Sequence, residues 1–133
     1  MKYVLDTNII TAILKGDETL KRKIKKNIID GKSIFINAIS YYEVKRGLLA
    51  INATAKLKRF DFFCNRFDLL LFDTHSIFDI AAEIYSNLKK SGELIGDADI
   101  LIASVVIFRN FILVSDDTDF DRIRMLKVEN WLN

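Results

Sequence analysis

The sequence nearly lacks the side chains on which several common enzyme chemistries depend. It holds one cysteine and one histidine among 133 residues. Cys64 has no partner for an internal disulfide, and the neighbouring Phe62, Phe63 and Phe67 suggest a thiol packed in a core. His75 alone cannot supply the pair of imidazoles common in metal-free acid-base hydrolysis of phosphodiesters. One histidine and one thiol also fall short of a zinc hydrolase's ligand set. His75 stands just before a helical pattern, which fits a capping or surface role. Proline is absent, and no repeat or low-complexity linker interrupts the chain. The longest nearly unbroken apolar run, 100–108, falls well short of the ~20 residues that span a bilayer. The opening MKYVLD reaches an acid at once, with no signal-type stretch, so no membrane association and a cytoplasmic location are expected.

Half the residues are apolar and 29% are charged, a composition that supports a folded core rather than a disordered chain. A single domain covering 1–133 suffices at this length. Net charge is only +2, but it is unevenly spread. Residues 1–66 carry 14 Lys/Arg against 6 Asp/Glu, and residues 67–133 carry 6 against 12. A cationic face beside an acidic pocket is one reading of that asymmetry; segregated solvent-exposed faces are the other.

Short apolar runs at 3–5, 34–36, 69–72 and 111–114 are too brief for helices and rich in strand-favouring residues, so they read as buried strands. Helical spacing joins Leu20, Ile24 and Ile28; Val44, Leu48 and Ile51; Leu57, Phe60, Cys64 and Phe67; and Ile77, Ile80, Ala81, Ile84 and Leu88. Strands that are apolar throughout, alternating with helices, indicate an α/β fold whose parallel sheet is covered on both faces. The segment 100–108, with Ser104 its main polar side chain, should be a central buried helix. Gly16, Gly31, Gly92 and Gly96 mark stops and turns. A last short strand near 127–129 is weakly signalled.

In such sheets ligands gather beyond the carboxyl ends of the strands. Asp6 ends the first strand; Glu43 sits early in the helix after IFI; Asp97 and Asp99 open the buried helix; Asp116 and Asp117 follow FILV. Each acid alone has a structural explanation. Asp97 or Asp99 could cap a helix, Asp116, Asp117 and Asp119 could be turn residues, and Glu43 could pair with Arg46. Together, four separate segments aim carboxylates at one edge, and such a group repels itself unless a cation intervenes. Oxygen-only ligands select hard ions, so Mg²⁺ or Mn²⁺ is expected.

Four segments, YVLDTNII, ISYYEVKRG, IGDADILIAS and LVSDDTDFDRI followed by VENW, resemble in order and spacing the motifs of PIN-domain ribonucleases of the VapC toxin type. The resemblance spans essentially the whole chain. It implies a Rossmann-like, three-layer α/β/α sandwich with a central parallel sheet. It also implies Mg²⁺-dependent endoribonuclease activity, a homodimer, and inhibition by a cognate VapB-type antitoxin. By position, Asp6, Glu43 and Asp99 match the first three acids, with Asp97 an alternative to Asp99. Asp117 matches the fourth, with Asp116 one residue away. Asn8 and Ser115 match polar positions that support the ligands. A divalent ion held there would activate water for in-line attack on an RNA phosphate, leaving 5′-phosphate and 3′-hydroxyl ends.

Lys45 and Arg46, beside Glu43, are the candidate RNA contacts. The cationic helix face formed by Lys21, Arg22, Lys23, Lys25 and Lys26 either holds phosphates or only solubilises. Tyr41 and Tyr42 suit base stacking, or core and interface packing. A PIN nuclease without an antitoxin differs in biology rather than chemistry. A receiver-like phosphoacceptor domain would also cluster aspartates at strand ends. It needs an acidic pair at the first strand and a lysine after a late one, and neither is present. A binding module with a degenerate site would not retain all four acids.

Overall fold

The computed structural model describes residues 1–132; Asn133, the last residue of the expected domain, lies outside the described residues. Five strands form one sheet: β1 (Lys2–Leu5), β2 (Ser33–Asn37), β3 (Asp68–Leu70), β4 (Ile112–Val114) and β5 (Val128–Glu129). Their order is β3-β2-β1-β4-β5, and every neighbouring pair is parallel. The helices are α1 (Thr7–Leu14), α2 (Glu18–Ile29), α3 (Ala38–Ala50), α4 (Thr54–Cys64), α5 (His75–Lys90) and α6 (Asp97–Arg109), with a 3₁₀ turn at Thr118–Arg122.

Strand alternation divides the core into two layers. Tyr3, Leu5, Ile34, Ile36, Ile112 and Val114 face a cluster that includes Ile9, Ile13, Leu20, Ile24, Val44 and Phe60 from α1 to α4. Val4 and Leu113 face the other way, against Ile77, Ala81 and Leu88 of α5 and the buried face of α6. A sheet buried on both sides explains the continuous apolar strands, and the three-layer α/β/α expectation holds. α6 is the central buried helix foreseen: Ile100 and Ile102 to Val106 are buried, and Ser104 spends its hydroxyl on the Leu101 carbonyl at 2.7 Å.

Several local expectations need correction. α1 escaped the sequence reading altogether. The third strand is shorter than its apolar run: it covers only Asp68–Leu70 at the sheet edge, so Leu69 and Leu71 are exposed. Ile28 and Ile51 extend the apolar lines of their helices but not the burial, being 42% and 69% exposed. Cys64 is half-buried rather than enclosed, and Phe62 beside it is exposed.

The chain runs from β1 through α1 and α2 to β2, and through α3 and α4 to β3, on one face. It then returns through α5 and α6 on the other face to β4. The direction of winding therefore reverses between β1 and β4. At that junction the loops beyond the two strand ends part, leaving the crevice where such sheets place their ligands.

Candidate metal centre

Asp6 follows β1 directly, and its own N–H is held by the Val114 carbonyl of β4 at 3.0 Å, so backbone pairing fixes it at the reversal point. It occupies the N-cap position of α1 yet makes no side-chain cap bond. Instead its carboxylate accepts from the Ser115 hydroxyl at 2.8 Å, and Ser115 accepts from the Asp117 N–H at 3.0 Å. Asp117 in turn accepts from the Asp119 N–H at 2.9 Å, capping the 3₁₀ turn, so its turn role and its place at the site coexist. Asp97 and Asp99 are not caps. Gly96 is the N-cap of α6, Asp97 is exposed, and Asp99 lies two residues further into the helix, half-buried.

Glu43 is placed by a buried chain of polar groups. Asn37, fully buried at the end of β2, caps α3 by accepting from the Ser40 N–H at 2.8 Å. Its amide donates to the Leu5 carbonyl at 3.2 Å and the Ser40 hydroxyl at 2.9 Å. The Thr7 hydroxyl lies 2.9 Å from that of Ser40 and 2.8 Å from Glu43 Oε1. A carboxylate only accepts, so the single Thr7 proton goes to Glu43, and the Ser40 proton completes the contact with Thr7. The expected Glu43–Arg46 pair is not formed among the described residues: Arg46 lies over the Tyr42 ring, 5.0 Å from its centroid.

The outcome is one open cleft of about 500 Å³ lined by Asp6, Glu43, Asp99, Asp116 and Asp117 together with Thr7, Asn8, Thr11 and Lys15. Burial pushes the Asp6 carboxyl up to about 6 against the lowering by Ser115 and the Thr7 N–H; the charges of Asp117 and Glu43 add to the rise. Asp99 is also pushed up to about 6, first by burial and then by the charges of Asp6, Asp117, Glu43 and Asp119. Buried carboxyls that also feel one another's charge are an environment in which a cation would be favoured.

Carboxylate oxygens of Asp99, Asp117 and Asp119 all lie within 4.8 Å of one another. Hard donors converging without a cation fit a divalent metal. Asn8 adds to that fit, because its buried Oδ1 has no hydrogen-bond partner while its amide donates to exposed Asp116 at the rim. Asp97 does not reach the cleft lining.

Three residues were not assigned to the site from the sequence. Asp119 had an ordinary turn explanation, whereas Thr7 and Lys15 belong to the unforeseen α1. The proposed RNA contacts are placed elsewhere: Lys45 pairs with Asp61 at 2.9 Å on the side of α4, and neither Lys45 nor Arg46 lines the cleft. Tyr41 packs on Phe60 with ring centroids 5.4 Å apart, which favours its core reading, while Tyr42 is exposed. His75 is exposed in the first turn of α5, whose N-cap is Thr74.

A parallel sheet with clustered acids at its reversal point defines a class of α/β proteins suited to binding a divalent cation there, and comparison narrows it. The PIN domain family matches residues 3–126, and the chain belongs to that family. It is 33% identical to Ribonuclease VapC2 of Rickettsia felis, with 98% of each chain covered. It is 28% identical to the tRNA(fMet)-specific endonuclease VapC of Shigella flexneri, again over 98% of each. The crystal structure of VapBC2 from Rickettsia felis bound to a promoter DNA fragment superposes with a TM-score of 0.85 at 28% identity, covering 98% of this chain and 99% of that one. PIN-domain nucleases depend on metal ions, and the acidic cluster accords with that dependence.

Proposed function

We propose that this chain, as a single PIN domain, is an Mg²⁺-dependent endoribonuclease and the toxin of a VapBC-type pair. The observation that carries the reading is the convergence of Asp6, Glu43, Asp99 and Asp117, from four distant segments, on one cleft. Asp6 and Asp99 are the primary ligands, held by Ser115 and by the first turn of α6; Glu43 and Asp117 complete the site, with Asp119 and Asp116 in support. When bound, Mg²⁺ or Mn²⁺ supplies an activated water and charge neutralisation for in-line displacement at phosphorus. Glu43, its orientation fixed through Thr7, orients the attacking water. Lys15, at the cleft, draws in the phosphate. Water adds to phosphorus as the P–O3′ bond breaks; the departing 3′-oxygen takes a proton from solvent, and the new end carries a 5′-phosphate.

The relatives named VapC and the VapBC2 complex support a cognate VapB-type antitoxin as the partner, with a homodimer as the expected assembly. Among the described residues no helix is long and apolar enough to cross a membrane, and the cytoplasm is the expected location. Purified protein should cleave RNA in Mg²⁺ or Mn²⁺, stop in EDTA, and leave 5′-phosphate ends on mapping. Undiminished cleavage in EDTA, or 2′,3′-cyclic phosphate ends, would overturn the mechanism.

A further inference from the structure

Past Thr7 and Thr11 the acidic cleft runs into a smaller recess of about 210 Å³ between α1 and α3. The two cavities share Thr7, Thr11, Lys15 and Glu43, so whatever lies across the carboxylates has this recess as its neighbour. Leu14, Leu48 and Ile51 give it apolar walls, and Lys15 and Lys56 stand on its edge. Neither lysine has an ion pair among the described residues. Ile51 is 69% exposed, an unusual placement for an isoleucine at the end of an apolar helix line. Gly47 of α3 faces open space, since a Cβ there would meet nothing within 4 Å.

The recess is small beside the roughly 300 Å³ at which pockets for drug-sized ligands begin. A single flat ring with an apolar face fits, and the two lysines suit the phosphates on either side of it. We propose that this recess is a subsite for one nucleobase of the RNA, turned out of its stack next to the scissile phosphate. The proposal rests on the nuclease reading above. Thr7 spends its proton on Glu43, and Thr11 donates to the Thr7 carbonyl at 2.9 Å, so neither hydroxyl has a proton left for a base edge. With apolar walls and no free threonine proton, the subsite holds a base chiefly by its face and discriminates its presence more than its identity.

The test is an abasic walk. A short single-stranded RNA with one cleavage site is made in a series, each member lacking one base, and cleavage in Mg²⁺ and binding in EDTA by fluorescence anisotropy are both measured. One position beside the cleaved bond should lose roughly tenfold in kcat/KM and in affinity when its base is removed, and exchanging one base for another there should matter less. Gly47→Leu fills the recess with a good helix former and should abolish the difference between intact and abasic RNA. Lys56→Ala should weaken binding of both RNAs about equally and reduce its salt dependence. The subsite is refuted by a flat walk with Mg²⁺-dependent cleavage intact, a result that leaves the nuclease reading standing. It is also refuted if Gly47→Leu keeps the positional effect, or if that variant loses only antitoxin binding. If the parent neither binds nor cleaves any RNA, the nuclease reading falls and the subsite with it.

Discussion

Asp6 is 4% exposed, yet it must be ionised to hold a metal. Burial that raises its carboxyl to about 6 means that, at neutral pH without metal, the folded state carries a charge that water would solvate better. Asp6→Asn keeps the shape and removes that charge. In EDTA at pH 7.5 the variant should be more stable than the parent by ~1 kcal/mol, part of the gain being lost to poorer bonding with Ser115 and Thr7. Cleavage should vanish, and Mg²⁺ should raise the melting temperature much less than in the parent. A variant that melts below the parent in EDTA would mean that Asp6 is chiefly a structural acceptor. A second contrast separates the acids of α6. Asp99→Asn should abolish cleavage, whereas Asp97→Asn, outside the cleft lining, should retain most of it. Asp119→Asn should weaken Mg²⁺ binding measurably in calorimetry, and an equal effect from exposed Asp121→Asn would reduce this to general field strength.

At the scale of elements, the site is only as precise as α1 and α3. Asn37 closes β2, caps α3 and bonds Leu5 of β1, so Asn37→Ala removes the cap on the Ser40 N–H together with the amide's buried bonds to the Leu5 carbonyl and the Ser40 hydroxyl. A loss of ~2–3 kcal/mol is expected in urea unfolding. Thr7→Val should spare most of the stability but release Glu43, lowering kcat ~10-fold or more; an unchanged kcat would show that Glu43 needs no such restraint. The legibility of the sequence also divides by element. β1, β2, β4, α5 and α6 were plain because apolar period and length agreed. Strand ends pointed to Asp6 and to the Asp116–Asp117 pair, whereas Glu43 and Asp99 sit inside helices and were assigned through the motif resemblance. α1 was not, since TNIITAIL is short, has no charged residue and opens with β-branched side chains that suit a continuing strand. That one omission hid Thr7 and Lys15 together. Lys45 and Arg46 lie off the cleft lining for a related reason: neighbours of Glu43 in sequence point to other faces of the helix, and the direction that takes Lys45 to Asp61 depends on where α4 packs.

For the whole molecule, the metal site and the stability of the fold are linked through protons. Asp6 and Asp99 have folded-state values of about 6 against an ordinary 3.8, so between those values the folded protein binds more protons than the unfolded chain. Stability must then fall as pH rises through this window, with the full penalty present above about 6. For Asp6 the change from pH 5 to 7.5 amounts to ~1.5 kcal/mol, and half-exposed Asp99 adds less because solvent screens it. Metal-free protein should therefore melt roughly 5 °C higher at pH 5 than at pH 7.5. The sole histidine is removed as His75→Gln in every protein compared. Mg²⁺ at pH 7.5 should recover the lost stability by replacing the missing counter-charge. At pH 5 it should add little, because it must first displace the protons. Asp6→Asn should flatten most of the slope. Thermal melts at both pH values, with EDTA and with Mg²⁺, measure all of these effects. A melting temperature that does not fall from pH 5 to 7.5 in EDTA, or falls equally in Asp6→Asn, would show that the carboxylates are not held in mutual and dielectric strain, and the case for a cation at this reversal point would lose its electrostatic support.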